Sequence, residues 1–387
     1  MLRMVTGHAQ APDAADAARE AVMACREGLG GDVPGVGILY TSYMDADFAR
    51  LLDVVAGTFG DMPLLGCTTD GEFSSSLGFA EESLLLGVLS AERLRFGVGL
   101  GGPLAGDPRG AAGRALDMAR QALGCAPACC IPLPDGLAAF TNPVAEPLAA
   151  ELGAGVPVVG GSAGDGFRIT GTFQFLNGEV HTDTLPVLLI GGPLKCSFGA
   201  ASGWTPVGPE HVVTAAEGPV AARIGERTAL DFYRDHLGRE DLELADITAF
   251  NLAVLEDGGH FHLRAPARLF PESGGIAFAG GVAPGARVRL TRMSSDDISQ
   301  AARVSAATAA ERYPGDAPEA VLAFSCTSRR QILGSRTGEE VEHLREVFGA
   351  DVPFCGFATY GEICPQAPGA QARFHNGAFV TLCLGEG

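Results

Sequence analysis

Two distant stretches of the chain share one pattern of apolar and polar positions. Each begins with an apolar run of strand length, continues with apolar residues spaced three and four apart, and ends with two further apolar runs. The first stretch covers residues 36–90 and the second covers residues 320–385. Apolar residues three and four apart form one buried face of a helix, whereas short continuous apolar runs are typical of buried strands. The pattern therefore predicts a β-α-β-β unit in each stretch.

The connections inside the two stretches also match. The predicted helices end at Gly60 and Gly349, and glycine is the usual residue just past the end of a helix. A similar phrase then follows the second predicted strand, GCTTDGE at 66–72 and CGFATYGE at 355–362. Strand, helix, strand and phrase recur in the same order, which indicates an internal repeat.

A third, less regular copy lies between them. Its predicted elements are strands at 129–134, 156–166 and 184–192 and a helix at 142–153. Its glycine–acid pair is Gly164–Asp165, one residue earlier than in the other two copies. A strand, a crossover helix and a second strand form a right-handed parallel unit, and the strands that follow return antiparallel. The sequence therefore predicts an α/β fold with mixed β-sheets and packed helices.

The pattern changes between residues 205 and 315. The elements predicted here are strands at 211–216, 247–255, 259–264 and 286–292 and helices at 221–237 and 295–312. The stretch WTPVGPE at 204–210 contains two prolines and a glycine, which are typical of a connection between domains. We therefore predict two related domains that contain the repeated units, residues 1–205 and residues 206–387.

Composition and charge exclude several partners. The chain has 387 residues, with 27 basic and 46 acidic side chains and a formal net charge of −19. This charge repels nucleic-acid phosphates and anionic lipid headgroups. The N-terminal segment is acidic where a secretory signal needs an apolar run, and no run approaches the ~20 apolar residues of a membrane-spanning helix. We predict a cytoplasmic protein with reduced cysteines that binds neither nucleic acid nor membranes.

Several motifs resemble those of a known family, the FIST (F-box and intracellular signal transduction) proteins. GCTTDGEF and VPVVGGSAGDGF are similar to the family's N-terminal domain, and FSCTSRRQILG, VPFCGFATYGEI and FHNGAFVTL are similar to its C-terminal domain. The resemblance implies an intracellular sensory protein that binds a small ligand, with amino acids among the proposed ligands. Some stand-alone members are haem proteins that sense nitric oxide and regulate a histidine kinase. Haem is therefore the alternative to a protein without a cofactor, and a signalling protein such as a histidine kinase is the expected partner.

The repeated phrase supplies the first candidate site residues. It stands at the carboxyl end of a predicted parallel strand, where open α/β sheets place ligands. Its hydroxyls can bind a polar ligand, and its carboxylates can accept hydrogen bonds from an ammonium group. The candidate ligand-binding residues are Thr69, Glu72, Thr359, Tyr360 and Glu362. The structural alternative is that the glycines form a tight turn and the glutamates cap neighbouring backbone.

A second group of candidates follows the predicted strand at 320–326. It consists of Cys326, Arg329 and Arg330. An arginine here can hold a carboxylate through two hydrogen bonds, and its charge can lower the pKa of the thiol. With Glu362 holding the ammonium group, the site would suit a small zwitterion. The structural alternative is an inert core cysteine and an arginine that covers a helix end.

A third group precedes the last predicted strand. His375 and Asn376 are expected at the same rim as Glu362, because strand ends bring residues distant in sequence together. A histidine near a glutamate suits an acid, a base or a metal ligand, whereas Asn376-Gly377 also fits a simple turn.

Three classes of function stay open on the sequence. The first is a ligand-binding sensory protein that signals to a separate effector. The second is a haem-based sensor, which needs an axial histidine, although no motif selects one of the eight histidines. The third is an enzyme with Cys326 as nucleophile, His375 as base and Glu362 as orienting acid. No nucleotide-binding, zinc or nucleophile-elbow motif is present, so the sequence predicts neither an enzyme nor a metal site.

Overall fold

The computed structural model describes the backbone of residues 1–387 and every side chain except that of Asp257. The chain forms three units of one design and one inserted region. Unit 1 is residues 3–90, unit 2 is residues 95–191, and unit 3 is residues 194–201 together with 295–386. The inserted region, residues 205–292, interrupts unit 3.

Units 1 and 2 follow one another along the chain. Unit 1 contains β1 (Arg3–Ala9), α1 (Ala14–Leu29), β2 (Val36–Thr41), α2 (Phe48–Phe59), β3 (Leu64–Thr68), β4 (Glu72–Ser74), β5 (Gly78–Ala80) and β6 (Leu84–Ser90). Unit 2 contains β7 (Arg95–Gly101), α3 (Pro108–Leu123), β8 (Pro127–Pro132), α4 (Gly136–Thr141), α5 (Ala145–Leu152), β9 (Gly160–Gly161), β10 (Gln174–Leu176), β11 (Glu179–His181) and β12 (Leu185–Gly191).

Unit 3 begins with β13 (Leu194–Ala201) and resumes after the inserted region. The inserted region contains β14 (Thr205–Glu217), β15 (Val220–Ile224), β16 (Arg227–Thr228), α6 (Ala229–Leu237), α7 (Leu244–Ile247), β17 (Leu252–Leu255), β18 (Phe261–Arg264), β19 (Pro266–Phe270), β20 (Gly275–Phe278) and β21 (Arg287–Arg292). The rest of unit 3 contains α8 (Ser295–Glu311), β22 (Ala320–Cys326), α9 (Thr327–Leu333), α10 (Gly338–Phe348), β23 (Phe354–Thr359), β24 (Glu362–Pro365), β25 (Ala372–His375) and β26 (Phe379–Glu386).

The three units have the same strand order. Unit 1 has the order β1-β6-β2-β3 and unit 3 has the order β13-β26-β22-β23, with β2 parallel to β3 and β22 parallel to β23. In unit 2 the order β7-β12-β8 continues through a parallel bridge from Cys130 to Val158, just before β9. The predicted α/β fold, with mixed sheets and repeated β-α-β-β units, is confirmed, and the irregular middle copy belongs to the same series.

Each unit completes the sheet of another unit. The β4–β5 hairpin of unit 1 pairs with β23 of unit 3, and the β24–β25 hairpin of unit 3 pairs with β9 of unit 2. The β10–β11 hairpin of unit 2 pairs in turn with β3 of unit 1. The exchange is therefore a closed ring, in which no unit keeps the hairpin that follows its own parallel strands.

The three sheets share one hydrophobic core. Equivalent residues of the first parallel strands, Ile38, Ile131 and Leu322, all lie in it and are almost fully buried. The outer faces of the sheets are covered separately, by α1 and α2 in unit 1, by α3 and α5 in unit 2, and by α8 and α10 in unit 3. The inserted region has a hydrophobic core of its own. Each sheet thus packs between a shared core and its own pair of helices.

Close strand packing explains the first glycine of the repeated phrase. A Cβ atom at Gly66 would collide with the carbonyl oxygen of Leu39 on the parallel neighbour β2. Gly356 stands in the same relation to Ala323, and a Cβ atom at Gly160 would meet the carbonyl oxygen of Pro132. This glycine is therefore a packing requirement in all three units.

The inserted region corrects one sequence prediction. The helix predicted at 221–237 covers only Ala229–Leu237, because residues 220–224 form β15, which pairs with β14. Gly225 has a φ of +61°, in the left-handed region, and turns the chain after β15 into β16. The apolar spacing of this stretch also fits a helix, and a single glycine does not rule one out in advance.

The predicted domain boundary at residue 205 falls between β13 and β14. β13 pairs along its whole length with β26, so a strand from one predicted domain lies in a sheet of the other. The division into residues 1–205 and 206–387 stays a prediction. Because the ring of hairpins crosses this division, unfolding experiments can test whether each part folds without the other.

We expect neither fragment, 1–205 or 206–387, to unfold cooperatively on its own. The first lacks the partners of β4, β9 and β13, and the second lacks β13 and the β4–β5 hairpin. Exposed sheet edges leave backbone groups unpaired. Urea unfolding followed by circular dichroism checks this, with the two fragments co-expressed as the control. A cooperative transition in either fragment alone would contradict the interlocked fold.

Candidate functional site

The three units place equivalent side chains at one position of the exchanged strands. Glu72 of β4 lies opposite Phe357, Glu362 of β24 opposite Gly161, and Gln174 of β10 opposite Cys67. Each partner is the residue after the packed glycine of the acceptor strand. The counterpart of Glu72 and Glu362 in unit 2 is therefore Gln174, and the pairing of Asp165 with them in the sequence was wrong.

Asp165 has a different role. Its carboxylate accepts backbone hydrogen bonds from Ile169 at 2.9 Å and Thr170 at 2.7 Å and a further bond from the hydroxyl of Tyr360. It therefore stabilises an additional loop, residues 165–172, that unit 2 carries before its exchanged hairpin. Because of this loop, the true counterpart, Gln174, lies nine residues after Asp165. Counting from the glycines in the sequence could not find it.

The loops after the parallel strands bind one another. The backbone N–H of Asp70 donates to Ala358 O at 3.1 Å, and the N–H of Gly164 donates to Thr68 O at 2.9 Å. Thr359 Oγ1 donates to Ser162 O at 2.7 Å, and Tyr360 is bound to Asp165. The hydroxyls of Thr359 and Tyr360, predicted to bind a ligand, are therefore used between the units.

The carboxylate of Glu72 is also satisfied within the protein. It accepts hydrogen bonds from Ser42 Oγ at 3.0 Å and from the hydroxyls of Thr69 and Ser83. Burial raises the pKa of Glu72 to about 7, although the three hydroxyls oppose this shift. Ser83 Oγ also lies 3.1 Å from His8 Nε2, so the network extends to a histidine that no sequence motif indicated. Thr69 and Glu72 thus fit the structural alternative.

Four of the five N–H donors of Arg329 are bound within the protein. The side chain is fully buried, and its Nε donates to Glu340 Oε1 at 2.8 Å. Nη1 donates to Ser202 O at 2.7 Å and to Gly377 O at 3.3 Å, and Nη2 donates to Ile298 O. The predicted role of Arg329 as an anchor for a ligand carboxylate does not fit this environment, because the guanidinium already joins four segments of the protein.

Arg330 connects two units as well. Its Nη1 donates to Asp70 O at 2.7 Å, and its guanidinium forms an ion pair with Glu81 and lies over the ring of Phe79. The carboxylate of Asp70 accepts from Gly166 N at 2.7 Å and from the hydroxyl of Thr327, and burial raises its pKa to about 6. Arg330 thus holds the hairpin of unit 1 against unit 3.

Glu362 differs from its counterparts. It is fully buried, Oε2 accepts from Ala378 N at 2.8 Å, and Oε1 has no hydrogen-bond partner among the residues that the structure describes. Burial raises its pKa well above the ordinary value, and the neighbouring Cys326 thiol opposes the shift. Burial also raises the pKa of Cys326 to about 12, so this thiol is not an activated nucleophile.

His375 and Asn376 line a cavity between unit 3 and the inserted region. His375 lies directly opposite Glu362 in the β24–β25 pair. The cavity has a volume of about 230 Å³. Its wall is formed by residues 200–202 at the end of β13, residues 260–263 at β18, Gln366, His375, Asn376 and Ala378. Of the ten predicted ligand-binding residues, two contribute to this wall, and Glu362 and Cys326 lie behind it.

Two imidazoles of this wall, those of His262 and His375, are neutral at neutral pH. Burial, aided by Arg264, lowers the pKa of His262 to about 2, although its Nδ1 lies 2.7 Å from Glu256 Oε1. Burial lowers the pKa of His375 to about 4, and its Nε2 lies 2.9 Å from Cys364 O. The cavity offers hydrogen-bonding groups without a fixed positive charge.

Two absences hold for the described part of the chain. No three His, Cys, Asp or Glu side chains there stand close enough to hold a metal ion. No helix there combines the length and the apolar composition needed to cross a membrane.

Fold and site together define an α/β protein of three interlocked repeats with a small polar cavity beside an inserted sheet. The family profile of the FIST N domain matches residues 35–227, and that of the FIST C domain matches residues 229–365. The chain belongs to the FIST family, whose domains are sensory domains of signal transduction.

Two relatives of similar length match 95% of this chain. The uncharacterized protein Rv0628c of Mycobacterium tuberculosis (strain H37Rv) is 26% identical over 377 residues, which cover 95% of this chain and 96% of the relative. The uncharacterized protein Mb0898c of Mycobacterium bovis is 25% identical over 384 residues and 95% of both chains.

Two solved structures of cyanuric acid hydrolases are similar over all of this chain, at 10% identity. One, from A. caulinodans, is covered to 99% with a TM-score of 0.39, and the other is covered fully with a TM-score of 0.35. Scores this low support no inference about the chemistry of this chain.

Replacing Arg329 by methionine should destabilise the protein strongly. Arg329→Met leaves Glu340 buried without its ion-pair partner, a change that typically costs about 3–5 kcal/mol. Arg330→Met, at a partly exposed position, is the control and should cost about 1 kcal/mol. Urea unfolding measures both. If Arg329→Met kept wild-type stability and lost only ligand binding, the structural role would be wrong.

Glu72 should make stability fall as the pH rises. The pKa of Glu72 is about 7 in the folded protein against an ordinary value of 4.5, so the folded state binds more protons between these values. Stability from this group is then lost from pH 4.5 to 7, on the order of 3 kcal/mol. Glu72→Gln should abolish the loss, and Gln174 shows that the fold accepts glutamine at the equivalent position.

The measurement is urea unfolding of wild type and Glu72→Gln at pH 5 and pH 8. Glu362 is present in both proteins and cancels in the difference, whereas the negative charge of Asp70 contributes through its repulsion of Glu72. The exposed Glu27→Gln variant controls for the removal of one negative charge. An equal stability difference at both pH values would contradict the raised pKa.

Proposed function

We propose that this chain is a cytoplasmic sensory protein that binds a small polar ligand, such as an amino acid, and passes the signal to a separate effector. The ligand site is the cavity between unit 3 and the inserted region. The observation that carries this proposal is the position of the cavity between unit 3 and the inserted region, which also contact each other through a small hydrophobic cluster.

The two walls of the cavity come from different parts of the chain. Residues 200–202, Asn376 and Ala378 belong to unit 3, whereas residues 260–263 belong to the sheet of the inserted region. Ligand sites occur preferentially at such boundaries. A ligand that contacts both walls favours one arrangement of the two parts over others, and differential affinity of this kind is what shifts a conformational equilibrium.

The size and chemistry of the cavity favour a metabolite. Its volume of about 230 Å³ lies below the ~300 Å³ at the lower end of pockets for drug-sized ligands. The neutral imidazoles, Asn376 and Gln366 supply hydrogen-bonding groups. A porphyrin is larger than this space, so the residues present do not fit haem.

Catalysis has little support. A nucleophile needs a lowered pKa or a base within hydrogen-bond reach. Cys326 has a raised pKa, and its described hydrogen-bond partner is Ser328 Oγ at 3.2 Å, not His375. The output is therefore expected to be a change of shape read by a partner, for which a histidine kinase is our candidate.

Thermal-shift screening of the purified protein against the twenty amino acids tests the proposal. A ligand at 100 times its Kd adds about 2.7 kcal/mol to stability and should raise Tm by several degrees. Ala201→Trp should abolish the shift, because a bulky ring at the end of β13 fills the cavity. Val304→Trp, at an exposed position of α8 outside the cavity wall, should keep it.

A different result would overturn the proposed site. A Tm shift that survives in Ala201→Trp would place the ligand elsewhere. A Soret band with stoichiometric haem binding through a histidine, and no response to any amino acid, would replace this function by haem-based sensing.

A further inference from the structure

The repeat gives the protein an internal comparison at the position of Glu72, Gln174 and Glu362. All three side chains are fully buried. Two further positions border each of them, one after the first parallel strand of the unit and one before its last strand. These neighbours are Ser42 and Ser83 in unit 1, Asp135 and Thr184 in unit 2, and Cys326 and Ala378 in unit 3.

Backbone hydrogen bonds establish this equivalence. Ser42 N donates to Ser83 O at 3.2 Å, Asp135 N donates to Thr184 O at 2.8 Å, and Cys326 N donates to Ala378 O at 3.0 Å. The three pairs therefore hold the same place in their units, and their side chains can be compared directly.

In units 1 and 2 these neighbours satisfy the buried group. Ser42 and Ser83 both donate hydroxyl hydrogen bonds to Glu72. Gln174 donates from Nε2 to Asp135 Oδ2 at 3.3 Å, and its Oε1 accepts from Thr184 Oγ1 at 3.2 Å. Both groups are thus paired entirely within the protein.

Unit 3 lacks both hydroxyls and has only the weak S–H donor of Cys326 beside Glu362. The two hydroxyl positions are occupied by a thiol and a methyl group, Cys326 and Ala378. Thr359, the counterpart of Thr69, donates to Ser162 O and Gly361 O and not to Glu362. Glu362 therefore receives one backbone N–H on Oε2, and Oε1 has no partner among the described residues. An unpaired buried acceptor is costly, so its persistence indicates a group that is paired in another state.

A second buried polar group borders the same turn. Both amide atoms of Asn251, a fully buried residue, lack partners among the described side chains and backbone. A Cβ atom at Gly377 would lie 3.3 Å from Asn251 Nδ2. The turn 375–378, whose residues His375, Asn376 and Ala378 line the cavity, thus has unpaired polar atoms next to it on Asn251 and Glu362.

We propose that Glu362 anchors the ligand of this cavity, and that the ligand presents a protonated amine to its free oxygen across the turn 375–378. This rests on the proposed function of the cavity. A carboxylate accepts charge-assisted hydrogen bonds from an ammonium group, which are among the strongest in proteins. Gly377, with a φ of +68°, gives the turn a backbone conformation that other residues rarely adopt.

The same pairing predicts a proton signal. Burial keeps the pKa of Glu362 high in the free protein, and an ammonium ion beside it favours the ionised form. Binding of an amine should therefore release up to one proton. Calorimetry in two buffers of different ionisation enthalpy measures this release, which should vanish in Glu362→Gln.

The test uses the full-length protein and named probes. These are the twenty amino acids, methylammonium, and acetate and propionate as amine-free partners of glycine and alanine. Calorimetry should show binding of an amine-bearing probe but not of its amine-free partner. Glu362→Gln, which installs the residue of unit 2, should weaken that binding about ten- to a hundredfold.

Reciprocal variants provide matched controls. Cys326→Ser/Ala378→Ser gives unit 3 the hydroxyls of unit 1, so it should raise Tm without a probe and weaken probe binding about tenfold. Ser42→Cys/Ser83→Ala makes the reverse change in unit 1, so it should lower Tm and leave probe binding unchanged.

The outcomes separate this inference from the proposed function. A probe whose binding is blocked by Ala201→Trp, but keeps wild-type affinity in Glu362→Gln, overturns the role of Glu362 and leaves the cavity as the ligand site. Equal binding of alanine and propionate would also overturn it. No binding of any probe to the wild type overturns the proposed function and this inference together.

Discussion

The exchange of hairpins around a closed ring is the constraint on which the rest of the structure depends. A strand edge inside a protein carries N–H and C=O groups that must be paired. Here the edges of β3, β9 and β23 are paired by hairpins from units 2, 3 and 1. The three sheets are thereby fixed around one shared core, and the loops at the carboxyl ends of the parallel strands meet. Those loops must then satisfy one another, which explains why their polar groups are used between units.

Burial of the exchanged strands places one polar side chain in the protein interior in each of the three units. A carboxyl or amide group at the position of Glu72, Gln174 and Glu362 loses its hydration and needs partners inside the protein. Unit 1 supplies three hydroxyls and unit 2 supplies a carboxylate and a hydroxyl. Unit 3 supplies one backbone N–H and the weaker thiol of Cys326. Equivalent buried groups in a repeat are expected to be equally well hydrogen-bonded. The poorer pairing of Glu362 therefore indicates that unit 3 meets an additional requirement.

The sequence predicts the units well and their assembly poorly, for a physical reason. Helix spacing, strand length and the packed glycines Gly66 and Gly356 are local properties, and they are visible in each unit alone. A hairpin that pairs with its own unit and one that pairs with another unit have the same local pattern, so the exchange leaves no signature. Asp165 was matched to Glu72 because counting from a glycine assumes equal loop lengths, and a loop insertion at a surface costs little.

The candidate site shows the same division. His375 and Asn376 line the cavity as expected at strand ends, although ligand binding by them stays a prediction. Arg329 follows a strand in a motif that suits a ligand carboxylate, yet Glu340, Ile298 and Gly377 take up its donors. These partners come from α10, α8 and the turn before β26, and no local pattern could have brought them together. A buried arginine is thus distinguishable from a binding arginine only once the tertiary structure is known.

Where the ring is symmetric, the loops after the parallel strands bind one another through hydrogen bonds between the units. The symmetry is broken in one connection above all, between β13 and α8, where unit 3 accommodates the whole inserted region. The equivalent connection is short in the other units. It runs from Ala9 to Ala14 in unit 1 and from Gly101 to Pro108 in unit 2. The cavity lies against this insertion, and the unpaired oxygen of Glu362 lies in the same unit. Both departures from the repeat therefore occur together, in the unit that accommodates the inserted region.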